Sequence, residues 1–221
     1  MTAMGDELDQ TERTTMRRLA ERGRFDRATA NAVIDEAYIA HVGFVVDGEP
    51  RVLPMTYGRI GESLYLHGAV GNAMLRASTD AEVCVTITLL DGLVLARSAF
   101  HHSMNYRSVV LVGRAVRVDD DAEKERAFDA IVDHVLPGRG AEARPANASE
   151  LRKTLVLRLA IEEGSAKVRA GGPVDDDDDL DLDVWAGVVP LAVVPGQPEQ
   201  DPDQRRRGLV PPEPERARLD R

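Results

Sequence analysis

Between Gly92 and Val118 two apolar runs flank a segment crowded with Ser98, His101, His102, Ser103, Asn105, Tyr106, Arg107 and Ser108. Two buried strands broken by such residues describe a packed sheet whose rim faces a polar ligand. A solvated loop between strands is the plainer alternative, although loops seldom place Tyr, Phe and two His in water. Arg51, Arg97 and Arg107 could each fork onto a phosphate, with Thr56, Asn72, Ser98, Ser103 and Ser108 as neutral donors. The run Gly68-Ala69-Val70-Gly71-Asn72 leads into a helix start, where open N–H groups and the helix dipole favour an anion. An ordinary strand-to-helix turn would explain the same glycines, and a salt-bridged strand face would explain Arg51 and Arg97. Strand alternation sends Arg107 and Ser108 to opposite faces. Both reach one ligand only at a bulge or where two subunits meet.

Other chemistries find little support. No GxGxxG follows a strand and no GxxxxGK[ST] occurs. His101 and His102 are adjacent, so on a strand they point to opposite faces, and no metal site is expected. No GxSxG elbow accompanies the serines. The 221 residues carry a formal charge of −10, which argues against a nucleic-acid surface. Much of that charge lies in the five aspartates 175–179 with Asp181 and Asp183. Cys84 is alone, excludes an internal disulfide, fits a reducing cytoplasm and reads as a small buried hydrophobe. No apolar stretch reaches membrane-spanning length, and the charged N-terminus does not resemble a signal peptide.

These groups need elements to hold them. Residues 1–24 read as an extended or weakly helical arm. Asp26 caps a helix with Ala28, Ala32, Val33, Ala37 and Ile39 inward and Asp35 and Glu36 outward. Asp47-Gly48 turns a hairpin between strands 44–46 and 51–57, and Asp91-Gly92 signals a second hairpin. A short strand at 64–67, a short helix at 74–77 and a strand at 109–118 follow. Asp120 and Glu123 form a capping box for a helix stopped at Pro137-Gly138. The last strands lie at 154–161 and 166–169. Many short strands, tight turns and few helices predict a small, mainly β antiparallel barrel over 25–172. An acidic and Pro-rich tail, 173–221, is expected to be solvated apart from an apolar anchor at 184–191. The Arg205-Arg206-Arg207 cluster could touch the acidic run.

Five segments together resemble the pyridoxamine-phosphate-oxidase-like, FMN-binding split barrels, nearest the nitroimidazole-resistance and flavin-nucleotide-binding branch. They are RGRFDRATANAVIDEA at 22–37, HVGFVVDGEPRVLPMTYGR at 41–59, LYLHGAVGNAML at 64–75, GLVLARSAFHHSMNYRSVVLVG at 92–113 and DVWAGVVPL at 183–191. The resemblance implies a six- to seven-stranded antiparallel split barrel and a homodimer with two FMN sites, each built from both chains. Arg51, Pro54, Met55 and Thr56 would then run beside the flavin ring and ribityl chain. His67, Gly68 and Ala69 would lie along the cofactor, and Gly71, Asn72 and Met74 near its phosphate. Tyr106, Arg107 and Ser108 would come from the strand crossing the interface. Trp185 would cover the ring or anchor the tail.

Two departures matter. Oxidases of this group carry Lys where Thr56 stands and a basic pair where Ala73 and Met74 stand, so phosphate charge falls to Arg51, Arg76 or Arg107. No Arg-x-His grips pyridoxamine phosphate near the C-terminus, which argues against vitamin B6 oxidation. The expectation is a cytoplasmic FMN oxidoreductase acting on a small aromatic or nitro compound, with a nicotinamide electron donor and His67 as proton donor. A flavin carrier or sensor without turnover, or a barrel using haem or deazaflavin, are the alternatives.

Overall fold

The Asp26 side chain accepts a hydrogen bond from the Thr29 amide (2.8 Å) and starts α1 (Arg27–Glu36), as its short side chain favours at that position. The face α1 buries is Ala30, Val33 and Ile34, whereas Ala28, Ala32 and Ile39 are exposed. The computed structural model describes residues 5–203 and 208–217, so Arg205, Arg206 and Arg207 lie outside the described residues.

After α1 come β2 (Ala40–Val46), β3 (Glu49–Met55), β4 (Tyr57–Ile60), β5 (Ser63–Ala69) and the short α2 (Ala73–Ser78). The long pair β6 (Ala81–Leu95) and β7 (Ser103–Arg117) follows, then α3 (Asp121–Val135), α4 (Arg139–Glu142) and α5 (Ala148–Lys153). The last strands are β8 (Thr154–Ala160), β9 (Glu163–Arg169) and β10 (Gly187–Pro190), and a two-residue β1 (Gly23–Arg24) precedes α1. All ten form one sheet whose main path is β3-β2-β6-β7-β8-β5-β4, with β9, β1 and β10 attached off it. The seven-stranded path is the expected split barrel; of the three attached strands, β9 is the one expected at 166–169, while β1 and β10 were not expected as strands. Its two ends, β3 and β4, are consecutive in sequence and separated only by Thr56, which therefore sits at the split.

Alternation fills the barrel. Leu64 and Leu66 of β5, Val83, Val85 and Ile87 of β6, Val109 and Leu111 of β7 and Leu155, Leu157 and Leu159 of β8 form one core, each such burial contributing about 1.5–3 kcal/mol. Cys84 falls between inward valines and is exposed, which overturns its expected burial. On the other face of β5, Tyr65 packs under α3 with Val156, Ala127 and Ile131.

Asp47 (φ 52) and Gly48 (φ 80) both adopt positive φ, the geometry of the expected hairpin turn between β2 and β3. Asp91-Gly92 does not turn. β6 continues through it with a register shift against β7 between Leu90 and Gly92, a β-bulge. The two long apolar strands continue their pairing past it, and residues 96–102 make the actual reversal.

The N-terminal segment is docked. Leu8 is buried, its amide bonds Phe25 O (2.7 Å), and the Asp9 amide bonds Glu162 O (2.7 Å). Arg13 clasps both oxygens of Glu163 (2.7 and 2.6 Å), and Thr11 also donates to Glu163. Arg13 first, then Thr11, hold the Glu163 carboxyl down at about 2. A depressed carboxyl stabilises the fold above its usual range, and that contribution is lost as pH falls toward the folded value. Hydrogen exchange at residues 8–14 should therefore rise between about pH 4.5 and pH 2 before the barrel core opens. Simultaneous exchange of arm and core would contradict this.

Candidate functional site

Cross-strand partners share a face of a sheet, and the register sorts the predicted residues. Ser108 lies opposite Thr88, Tyr106 opposite Leu90, and Met104 opposite Leu93, which also faces Val189 of β10. Tyr106 and Ser108 thus share the outer face of β7 with an apolar row, Met104–Leu93–Val189. Leu95 continues that face and pairs with Gly187, two residues beyond Trp185. Within 184–191, residues Gly187–Pro190 form β10, which pairs with Gly92–Leu95 of β6. Trp185 itself is 64% exposed.

Arg107 is turned away. Its guanidinium bonds both oxygens of Glu36 at the end of α1, one of them at 2.7 Å, and both oxygens of Asp91 at the bulge (3.0 and 2.7 Å). Glu36, expected outward, is half-buried in this ion cluster. Glu36 and then Asp91 drive the guanidinium pKa further up, so its charge is permanent and already matched. The bulge re-aims Asp91 toward α1, a role hidden by reading Asp-Gly as a turn. Asp35, likewise expected outward, binds Arg59 (2.8 Å).

The loop before α2 also differs from expectation. Asn72 Oδ1 accepts from the Met74 and Leu75 amides (3.0 and 3.2 Å). The open N–H groups are thereby taken by the chain's own cap, and Met74 is buried. What Gly71 and Asn72 do is deliver Arg76 to a cleft of about 230 Å³ lined by Val70, Arg76, Thr79, Arg117 and Leu155. Arg117 is paired with Asp119 (2.7 Å), while Arg76 has no charged partner among the described residues. Arg76 is the better of the predicted phosphate cations. Ala69 pairs with Thr154 and Gly68 with Leu155, which puts both beside this cleft.

His67 lies under α3, edge-on to Phe128 (6.0 Å), with Nδ1 buried and without a hydrogen-bond partner. Burial lowers its pKa, so the ring is neutral near pH 7. Arg51 is exposed on edge strand β3 and pairs with Glu49 (3.2 Å). Pro54 lies opposite His41, Met55 opposite Ala40, and Thr56 follows at the split. The structure thus gathers Tyr106, Ser108 and Trp185 on one face, and of the loop before α2 it is Val70, between Ala69 and Gly71, that lines the cleft. It leaves Arg107 outside both.

Sequence reasoning missed Asp175. Its buried carboxylate bonds the Arg97 amide (2.9 Å) and guanidinium (2.8 Å), so the acidic run is docked here rather than solvated. Burial opposes its charge, but the amide and guanidinium of Arg97 outweigh that and hold its carboxyl below the usual range. No described helix is long and apolar enough to cross a membrane.

Residues 26–168 match the family model described as pyridoxamine 5'-phosphate oxidase. The chain belongs to that family. Its fold is also that of the flavocytochrome Anf3 from Azotobacter vinelandii, at 40% identity and TM-score 0.82 over 87% of this chain and 90% of that one. The FAD and haem binding protein from Mycobacterium smegmatis is similar at 39% identity and TM-score 0.82, covering 86% and 94% of the two chains. A 5-nitroimidazole antibiotic resistance protein from Bacteroides thetaiotaomicron shares 25% identity at TM-score 0.55 over 66% of this chain and 86% of that one. No functionally curated protein matches the sequence.

Proposed function

We propose that the protein carries a flavin and a haem and acts as an oxidoreductase that moves electrons between them. The observation that carries this reading is the match to the Mycobacterium smegmatis FAD and haem binding protein along 86% of this chain and 94% of that one. FAD is favoured over the expected FMN on the same ground. The residues suit such groups. The Arg76–Arg117 cleft offers cationic charge for phosphate, and the unpartnered Nδ1 of His67 is a polar atom without an internal mate. The outer face of β6 and β7 offers apolar surface to an aromatic ring. Bound flavin and haem would supply hydride and one-electron chemistry. The chain's part is to hold phosphate at Arg76, keep His67 neutral under α3 and exclude water with the apolar row.

In this reading a homodimer completes each flavin site. Its location is cytoplasmic, the electron donor a nicotinamide and the acceptor a small aromatic or nitro compound. Absorption of the purified full chain, chromatography of the released flavin and a pyridine haemochrome assay test the cofactors. FAD with haem is expected. FMN without haem would restore the simpler flavoprotein, and a preparation that stays colourless after soaking with FAD and haemin would end the proposal. Anaerobic bleaching by NADH or NADPH, then faster reoxidation with a nitroaromatic, is the expected sign of turnover; absence of bleaching indicates a carrier.

A further inference from the structure

Five histidines occur in the sequence, and their surroundings separate them. His134 is buried with Nε2 2.7 Å from Ala37 O. His101 has Nε2 3.2 Å from Asp176. His67 lies under α3, and His41 stands on the outside of β2, opposite Pro54 and Thr86. His102 alone is exposed with one nitrogen fixed to the backbone, Nδ1 lying 2.9 Å from the Ser98 carbonyl oxygen. A carbonyl only accepts, so neutral His102 holds its proton on Nδ1 and presents the Nε2 lone pair to the outside. Metal-ligating imidazoles are oriented in this way, by donating the second nitrogen to a carbonyl or carboxylate.

The local geometry is not that of two strand residues. Ala99–His101 form a 3₁₀ turn and His102 follows it with extended backbone (φ −58, ψ 141). The argument that adjacent strand residues cannot both serve a metal therefore does not apply. His102 immediately precedes β7, whose second residue, Met104, lies on the outer face with Leu93, Leu95 and Val189. Trp185 crosses the same face: a Cβ on Gly187 would come within 2.8 Å of the indole, so the bare glycine lets the ring lie against the sheet. Met104 is 50% exposed and Trp185 64% exposed, a cluster of apolar surface that a soluble chain seldom leaves uncovered.

We propose that His102 Nε2 would ligate haem iron and that Leu95, Met104 and Trp185 would supply an apolar wall for the group. This rests on the flavin-and-haem reading above. The donor set suits the group, because haem iron takes a histidine nitrogen and its ring needs apolar walls.

The test uses the full chain with its flavin in place, titrated with haemin. Readouts are haem stoichiometry, the iron–histidine stretch in the ferrous resonance Raman spectrum, and flavin content. His102→Ala is expected to lose the iron–histidine signal and to bind haem on the order of tenfold more weakly or worse, with flavin content unchanged and added imidazole restoring haem. His102→Met should replace the histidine signature with thioether ligation. Trp185→Ala should weaken haem binding while leaving the signature intact. Haem and its histidine signature unchanged in both His102 variants, or lost instead in His67→Ala or His41→Ala, would overturn the assignment while leaving the proposed function standing. A wild-type chain that retains FAD but takes up no haem overturns both.

Discussion

Replacing Arg107 with Met is expected to destabilise the fold by about 2 kcal/mol, while the folded fraction keeps its full complement of flavin. The guanidinium bonds both oxygens of Glu36 and both of Asp91. Removing it leaves two carboxylates with no counter-charge. Breaking a fully buried pair from one side costs about 3–5 kcal/mol. The residue is 31% exposed here, so water recovers part of that loss. For a chain of this size the change corresponds to a fall of roughly 4–8 °C in Tm. Adding Glu36→Gln and Asp91→Asn should recover most of it, since the repelling charges go with their partner. Calorimetry and the flavin-to-protein absorbance ratio decide the matter. A normal Tm with depleted flavin would return Arg107 to the cofactor, as the family resemblance implied.

The contrast shows what the sequence could and could not disclose. Period-two alternation at 83–87, 109–111 and 155–159 fixed which residues fill the barrel, because one face of each strand has to be apolar. The Asp47-Gly48 turn was legible because its conformation is set locally. Asp91-Gly92 has the same two residues and a different outcome. There, long-range pairing of β6 with β7 outweighs the local preference, and no window of sequence contains that pairing. Glu36 and Asp175 were misjudged for a related reason. A carboxylate on a helix end or in an acidic run reads as solvated, and its partners Arg107 and Arg97 lie 71 and 78 residues away. Nor could spacing show that Asn72 would occupy its own helix amides and that Arg76 would line a cleft without a charged partner among the described residues. The shared face of Tyr106, Ser108 and Trp185 needed the position of β10, a segment outside the residues matched to the family.

Asp175→Ala should loosen that segment, and the consequence reaches the proposed haem face. The Asp175 side chain is completely enclosed and holds Arg97 by both backbone and guanidinium. Arg97 Nε and Ser98 Oγ are already buried without partners, so the reversal between β6 and β7 already carries two unsatisfied polar atoms before Asp175 is removed. The substitution leaves a guanidinium half in the protein with nothing to meet it. Chain 173–186 then loses its enclosed tether and keeps the contact of His101 with the exposed Asp176 (3.2 Å), while β10 is held by its four-residue pairing with β6 and the Leu191 amide on Asp91 O (3.0 Å). Hydrogen exchange at the paired amides of β10 should accelerate by roughly an order of magnitude, with the core of β7 unaffected. Acid should mimic the change in wild type. The Asp175 carboxyl sits below its usual range, so its contribution is present above that range and disappears as pH falls through the depressed value. Because β10 brings Trp185 and Val189 to the face beside His102, Asp175→Ala should also weaken haem retention while preserving the histidine signature. The double variant Arg97→Met, Asp175→Ala removes the stranded charge and should recover stability but not the tether. Unchanged exchange at β10 in the single variant would show that strand pairing alone holds the segment, and that Asp175 serves only the turn.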